Sequence, residues 1–335
     1  MGQDRTLARG ARVFGALLIA VLALLSLGWI IRDFTKADEV TDVWWSWSGI
    51  PARSEDGVWT TSFTEPTLLL MYAVAAVTAA RSSSAAAILA GTGTVTVLLR
   101  LPGLWNLNAD WLQGISEGLK SKVLLSTSTM VVLGLVLVIT AIAGRRPAGA
   151  LPGGYGPGGG YGYGSAYGYG GPPADPAEEP PAGPTRGGGI TAFVLLAAAA
   201  GVLAAWEIYW WQERGWDVYK HTLTGERSLV ALLDVPGGWY SWALAAVALV
   251  AAVAALAGAP FSRPLGLMAG TLVAATGLFR VSSAWKLKLF ERFDDLETVR
   301  QLNVATGLFA LVVGLCVLLA LSHGERRPAR PTVPL

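Results

Sequence analysis

Long uncharged, apolar windows alternate with short charged segments along this 335-residue chain. A helix rises 1.5 Å per residue, so a window of about 19 residues reaches roughly 28 Å, which matches one bilayer hydrocarbon core. The windows therefore predict eight membrane-spanning helices, here called spans one to eight. Their predicted positions are 13–31, 67–80, 85 to about 105, 123–144, 190–211, within 235–262, from the Arg263-Pro264 turn to beyond Arg280, and within 301–324.

The first span follows three arginines, Arg5, Arg9 and Arg12, which resembles the start of a secretory signal peptide. The apolar run is too long for such a peptide, and no small-x-small cleavage pattern follows it. We therefore predict a signal anchor. Two further segments, 105–122 and 285–300, carry apolar residues at helical spacing and predict interfacial amphipathic helices.

A segment of different composition, 147–189, separates spans one to four from spans five to eight. Its 43 residues include 16 Gly, 9 Pro and 5 Tyr. No apolar stretch in it is long enough to offset the chain entropy lost on folding, so we predict a disordered linker. A plain tether is favoured over modified or self-associating tyrosines.

The two blocks beside the linker resemble each other at an offset of 180 residues. Arg100 and Trp105 match Arg280 and Trp285, and Gly134 matches Gly314. We predict an internal duplication. Because each unit has an even number of spans, both copies point the same way. The predicted fold class is an all-α integral membrane protein, with two parallel four-helix repeats related by a pseudo-twofold axis along the membrane normal. The predicted domains are 1–146, the linker 147–189, 190–327 and a cytoplasmic tail 328–335.

Composition supports a membrane protein and excludes several kinds of binding site. The chain is 53% apolar and 14% charged, with a mean hydropathy of +0.49 and a net charge of only +2, which excludes a nucleic-acid partner. A single cysteine, Cys316, rules out an internal disulfide and a cysteine-based zinc site. The many Ala, Gly and Arg residues suggest a bacterial genome of high G+C content.

Short arginine clusters at the ends of spans one, four and eight predict cytoplasmic N- and C-termini in a plasma membrane. All fourteen tryptophans then lie on the outer side. An interfacial aromatic belt and a packed outer cap explain them. A ligand-binding cap for a lipid head group, a glycan or a partner helix is the alternative. The predicted outer aromatic face comprises Trp105, Trp285, Trp210 and Trp211.

Arg100 and Arg280 are the most specific polar pair, since each precedes its interfacial tryptophan by five residues. A cation at that depth needs a partner or must snorkel. We predict outer-side pairing of Arg100 with Glu65 and of Arg280 with Asp234 or Glu207. Salt bridges that pin loops to helices are the favoured interpretation, and a substrate-binding arginine pair is the alternative.

Small residues four apart allow two helices to approach closely. Gly91 in span three, and Gly266 and Gly270 in span seven, predict that these two spans meet near the pseudo-twofold axis.

No phosphate loop, Gly-x-Ser-x-Gly elbow or His-Glu-x-x-His pattern occurs, and no charged residue lies at the centre of a span. We therefore expect no catalytic residue, metal or cofactor, and a protein that is not an enzyme. The favoured function is a scaffold, regulatory or assembly subunit in the lipid bilayer, with a membrane-protein partner or a second copy. The alternative is a transporter or lipid-handling protein with a site between the repeats on the outer side.

Overall fold

The computed structural model describes residues 5–55, 57–109, 115–147, 182–226 and 231–325. Within these ranges the chain forms ten α-helices. Those before the linker are α1 (Arg9–Lys36), α2 (Val40–Trp47), α3 (Thr64–Arg81), α4 (Ala85–Asn106) and α5 (Glu117–Ala143). Those after it are α6 (Arg186–Arg214), α7 (Trp216–Thr224), α8 (Gly237–Leu256), α9 (Ser262–Lys286) and α10 (Thr298–Ser322). We call residues 5–147 the first half and 182–325 the second half.

Seven of the described helices are long and apolar enough to cross a membrane: α1, α4, α5, α6, α8, α9 and α10. Together they make the chain a multi-pass helical membrane protein. The predicted second span corresponds to α3, which has only 18 residues and is not one of the seven. Glu65 and Arg81 lie within it near its two ends and lower its mean hydropathy.

Several helices extend beyond the uncharged windows that predicted them. Helix α6 begins at Arg186 rather than 190, because the Thr185 side chain accepts a hydrogen bond from the Gly188 amide and caps the helix. The prediction of disorder was therefore wrong for 186–189, and residues 183–184 form a strand. Residues 148–181, which make up most of the predicted linker, and the predicted tail 328–335 lie outside the described residues.

The segments between the long helices differ from prediction. The predicted amphipathic helix at 285–300 is wrong: α9 ends at Lys286, Lys288 adopts a φ of 54°, and only Phe293–Asp295 forms a 3₁₀ turn before α10. Of the predicted helix at 105–122, residues 105–106 end α4, 117–122 begin α5, 107–109 and 115–116 are not helical, and 110–114 lie outside the described residues. Two short helices, α2 and α7, occupy predicted loops. Helix α2 starts with a reciprocal capping box between Glu39 and Asp42.

Packing places α4, α8 and α9 in the middle of the bundle and α1, α5, α6 and α10 at its edge. In the most apolar stretch of each central helix, 56–61% of the residues are buried, against 28–33% in the edge helices. Large apolar side chains such as Leu17, Leu24, Leu125 and Leu319 are exposed on the edge helices, as expected for side chains that face lipid. One hydrophobic core runs through both halves, from Ile19 in α1 to Leu321 in α10.

Two short antiparallel strand pairs mark one end of the bundle. Strand β1 (Arg5–Leu7) pairs with β2 (Arg145–Pro147), and β3 (Gly183–Pro184) pairs with β4 (Gly324–Glu325). Each pair joins the chain before the first helix of a half to the chain after its last helix. We call this end the strand end. The described tryptophans lie toward the opposite end, which we call the tryptophan end.

The glycines bring helices together within each half more than between the halves. A Cβ at Gly91 would lie 2.9 Å from Met268 Sδ, so Gly91 does face α9 as predicted. Gly266 and Gly270 instead face Leu321 and Val317 of α10, and their predicted contact with α4 is wrong. Small residues permit close approach to whichever helix is adjacent, and the neighbour of that face of α9 is α10.

Candidate functional site

A buried ion pair lies at the tryptophan end between α3 and α4. Arg100 Nη1 donates to Glu65 Oε1 at 2.6 Å, and the two side chains are 1% and 0% exposed. Glu65 Oε2 also accepts from the Ser62 amide at 2.6 Å, from the Ser62 hydroxyl at 3.3 Å and from the Thr64 hydroxyl at 3.2 Å. The structure thus brings together the two residues that the sequence paired, and the loop before α3 supplies the remaining donors.

Arg100 also joins the two halves. Its Nη1 donates to the Leu233 carbonyl at 3.2 Å, in the loop before α8. The backbone amide of the same Leu233 donates to the Thr60 carbonyl at 2.8 Å, and Leu232 donates to the Trp59 carbonyl at 3.1 Å. A loop of the second half is therefore hydrogen-bonded to the loop that leads into α3. The hydrogen bond from Arg100 to the Leu233 carbonyl holds this loop of the second half to α4.

Asp33, which sequence reasoning missed, holds the other side of the same loop. Its carboxylate is fully buried and accepts from the Thr60 amide at 3.0 Å, the Thr61 amide at 2.6 Å and the Thr61 hydroxyl at 2.7 Å. Arg32 Nη1 lies 2.8 Å from it. The signal that could have found Asp33 is its place on the buried stripe of α1, one turn beyond Ile30.

The second half does not repeat this arrangement. Among the described residues, Arg280 forms no ion pair with Asp234 or Glu207, although Glu207 is close enough to act on it electrostatically. Within the described ranges the predicted second pairing is limited to the electrostatic interaction of Arg280 with Glu207. Asp234 accepts from the Val235 amide at 3.0 Å, and Glu207 accepts from the Tyr219 hydroxyl at 3.0 Å.

Glu207 belongs to a network that connects α6, α7 and α8. The Trp242 indole donates to the Tyr219 hydroxyl at 2.7 Å, and that hydroxyl donates in turn to Glu207. Tyr219 is only 3% exposed. Burial is the main reason that the pKa of Tyr219 is raised to about 12. The hydrogen bond from Trp242 lowers this pKa, and the nearby Glu207 carboxylate raises it further. The phenol therefore stays protonated, as its role as donor requires.

One feature near the arginines is common to both halves. The hydroxyls of Tyr72 and Thr96 lie 2.9 Å apart, and those of Tyr240 and Thr276 are also 2.9 Å apart. Each threonine precedes its arginine by four residues, one helical turn. The two threonines follow the same 180-residue offset as the arginines.

The tryptophans do not form a single face. Trp105 lies between the halves, where its indole donates to the Thr224 carbonyl at 2.8 Å and its ring meets Trp239 at 5.5 Å. Trp210 stacks on Trp206 and lies under the Arg214 guanidinium. Trp211 belongs with the side chains of α7, and Trp285 is 76% exposed. The predicted outer aromatic face therefore separates into structural and exposed groups.

At the tryptophan end the two halves pack directly against each other; we call this contact the seam. Phe279 of α9 packs edge-on to Trp47 and against Phe63 of the first half, and the Trp239 indole donates to the Leu98 carbonyl at 2.7 Å. A void beside Leu98 and Tyr240 measures about 10 Å³. A single buried water needs roughly 10–15 Å³. This void therefore has room for at most about one water molecule, and Arg100 Nη1 is occupied by protein acceptors.

These features define a multi-pass helical membrane protein whose two halves are joined by a buried polar junction. Among the described residues, no three His, Cys, Asp or Glu side chains come together in a way that could hold a metal ion. No protein-family model, curated protein or solved structure matches the chain.

Proposed function

We propose that the chain has eight spans, with α3 as the eighth, arranged as two parallel four-helix repeats. Its 18 residues reach about 27 Å, close to the hydrocarbon thickness, and both of its charged residues lie near the ends. The same order of helices recurs in the two halves, a strand pair closes each half, and the Tyr–Thr contacts recur. These similarities support a tandem duplication with a pseudo-twofold axis along the membrane normal.

We further propose that the tryptophan end is extracytoplasmic and the strand end cytoplasmic in a bacterial plasma membrane. Arg9, Arg145 and Arg186 lie near helix ends at the strand end, in agreement with the positive-inside tendency. Both termini are then cytoplasmic.

The function that the geometry supports best is a non-enzymatic scaffold, regulatory or assembly subunit. The observation that carries it is the closed seam. The Nη1 atom of Arg100, the residue best placed to bind a substrate, already donates to Glu65 and to the Leu233 carbonyl. A transporter or lipid-handling protein with a site between the halves at this end would need a ligand-sized space there.

The surface proposed for partner contact is the α7 face, which we define as Trp211, Trp216, Val218 and Trp242. These side chains are 49%, 55%, 52% and 39% exposed. Trp211 and Trp242 lie near the ends of the candidate spans α6 and α8, and α7 follows directly after α6, so we place the α7 face at the membrane surface. Exposed tryptophans over a rigid, hydrogen-bonded base are typical of binding hot spots between proteins. We propose a membrane-protein partner or a second copy as the occupant.

The test is purification of the tagged full-length protein from its native membrane after chemical cross-linking. We expect a stoichiometric protein partner that Trp216→Ala removes. The matched control is Trp285→Ala, an even more exposed tryptophan at the same end, which should leave the partner in place. A second copy carrying a different tag identifies self-association.

The proposal fails if a specific lipid or solute is recovered consistently with no protein partner. It also fails if Trp216→Ala and Trp285→Ala reduce recovery of the partner equally, since the tryptophans would then act only as a membrane anchor.

A further inference from the structure

A groove opens between the halves at the strand end, on the side where α3 faces α9. Its walls are apolar and include Leu70, Val74 and Val77 of α3 and Leu267 and Met268 of α9. The cavity volume is about 540 Å³, within the roughly 300–1,000 Å³ range of small-molecule sites. Leu70, Val74 and Val77 are more than half exposed, so the groove is open toward the lipid.

The dimensions of the groove fit one lipid chain. From Leu70 to Arg81 the groove follows twelve residues of α3, whose eleven rises of 1.5 Å span about 17 Å. Half of a bilayer core of about 30 Å is about 15 Å, so the groove spans one leaflet. The apolar walls of the groove suit an acyl chain along this length, and the basic side chains at its mouth suit a lipid phosphate.

Two arginines lie at the mouth of the groove. Arg81, in the last turn of α3, is exposed, and within the described part of the chain it makes no hydrogen bond or ion pair. Arg263, in the first turn of α9, is fixed by donating to the Leu321 and Ser322 carbonyls at 3.2 and 2.9 Å. Ser82 and Ser84 lie beside them at the start of α4, and none of the described lining residues is acidic.

We propose that this groove binds an anionic phospholipid, with one acyl chain along α3 and α9 and the phosphate between Arg81 and Arg263. Basic pockets between spans, at the depth of the head groups, are suited to such lipids. The amino-terminal end of α4 adds a favourable dipole for the phosphate. In the proposed orientation this is a lipid of the cytoplasmic leaflet, at the end opposite to the one expected from sequence. The inference requires only the membrane class and not the scaffold function.

The test is native mass spectrometry of the full-length protein in detergent, incubated with equal amounts of phosphatidylglycerol and phosphatidylethanolamine of identical chains. We expect one phosphatidylglycerol molecule to bind in preference. Arg81→Gln should reduce that preference about fivefold, which corresponds to roughly 1 kcal/mol for one basic residue near the membrane surface. Val74→Trp, which fills the groove from its open side, should abolish binding while both arginines remain. Both residues are exposed, so the fold should tolerate the changes; the thermal midpoint checks this.

The matched control is Arg9→Gln, an exposed arginine at the same end but outside the groove, which should leave the preference unchanged. Equal losses for Arg81→Gln and Arg9→Gln would overturn the proposal, because surface charge alone would then explain the binding. Equal binding of the two lipids would also overturn it, as would full binding by Val74→Trp. Displacement by glycerol phosphate at the same concentration would show a head-group site without a chain site, again contrary to the proposal.

Discussion

Separation of Arg100 from Glu65 is the perturbation that tests how the two halves are held together. Their contact is short and the side chains are 1% and 0% exposed, so bulk solvent does not reach the pair. Removal of one member of a buried ion pair costs roughly 3–5 kcal/mol, because the other charge is left unpaired. We expect losses of this size for each single alanine substitution.

The two losses should not be equal. Glu65→Ala leaves a guanidinium that cannot lose its proton and whose only remaining described acceptor is the Leu233 carbonyl. Arg100→Ala leaves a carboxylate that keeps its hydrogen bonds from Ser62 and Thr64. We therefore expect Glu65→Ala to cost about 5 kcal/mol and Arg100→Ala about 3 kcal/mol. The double variant should cost less than the sum by about 1–3 kcal/mol.

The assay is equilibrium unfolding of the full-length protein in mixed micelles of mild detergent and dodecyl sulfate, followed by tryptophan fluorescence. The control cycle uses Lys288 and Glu291, an exposed pair 3.6 Å apart, for which the coupling should stay below about 0.5 kcal/mol. Additive losses in the Arg100–Glu65 cycle would refute the assignment of a stabilising pair. A larger loss for Arg100→Ala than for Glu65→Ala would refute the account of the carboxylate's other donors.

Three further predictions follow from the packing. Gly314→Ala should lower stability by about 1–3 kcal/mol in the same assay, because its Cβ would overlap the Ala274 backbone; Gly201→Ala, where nothing lies within 4 Å, should be neutral or stabilise by up to about 1 kcal/mol. Tyr219 should ionise only near pH 12 in the absorbance difference between wild type and Tyr219→Phe, and the stability that its raised pKa contributes is present below pH 10 and lost as the pH rises through 12; a midpoint near 10 contradicts this. Cleavage at a protease site inserted into the linker should leave the two halves associated in detergent. Trp239→Phe should weaken that association, because it removes the hydrogen bond to the Leu98 carbonyl. Separation of the halves in the cleaved wild type would contradict the close packing between them.

The sequence predicts the long helices well because lipid imposes a simple requirement. A span must satisfy its backbone internally and present apolar side chains for about 20 residues, and both features are visible in the order of residues. Arg100 and Glu65 could be paired for a related reason. A charge within an apolar segment needs a partner, and Glu65 is the carboxylate at the start of the neighbouring helix.

The other contacts depend on which helix faces which, and a window of hydropathy carries no such information. Gly270 has the spacing for close approach, but only the structure shows that α10 is the helix it meets. Asp33 was placed outside the first span because it is charged. Its helix continues to Lys36, and the loop amides around Thr60 neutralise the cost of its burial. Helices α2 and α7, of 8 and 9 residues, are too short for a helical repeat of apolar residues to be recognised in the sequence.

Among the described residues, the two short helices differ in how far their aromatic side chains are available to a partner. Helix α2 presents Trp44 and Trp47 to Phe279 of the second half, and Lys286 lies over the ring of Trp45, so its aromatic side chains are largely used inside the molecule. Helix α7 packs against α6 and α8 of its own half and leaves Trp216 exposed. A duplicated fold would offer two equivalent sites only if both short helices were free. Since one of them is covered by the seam, we expect one partner per chain, and a cross-linked complex with two partners on one chain would contradict this argument.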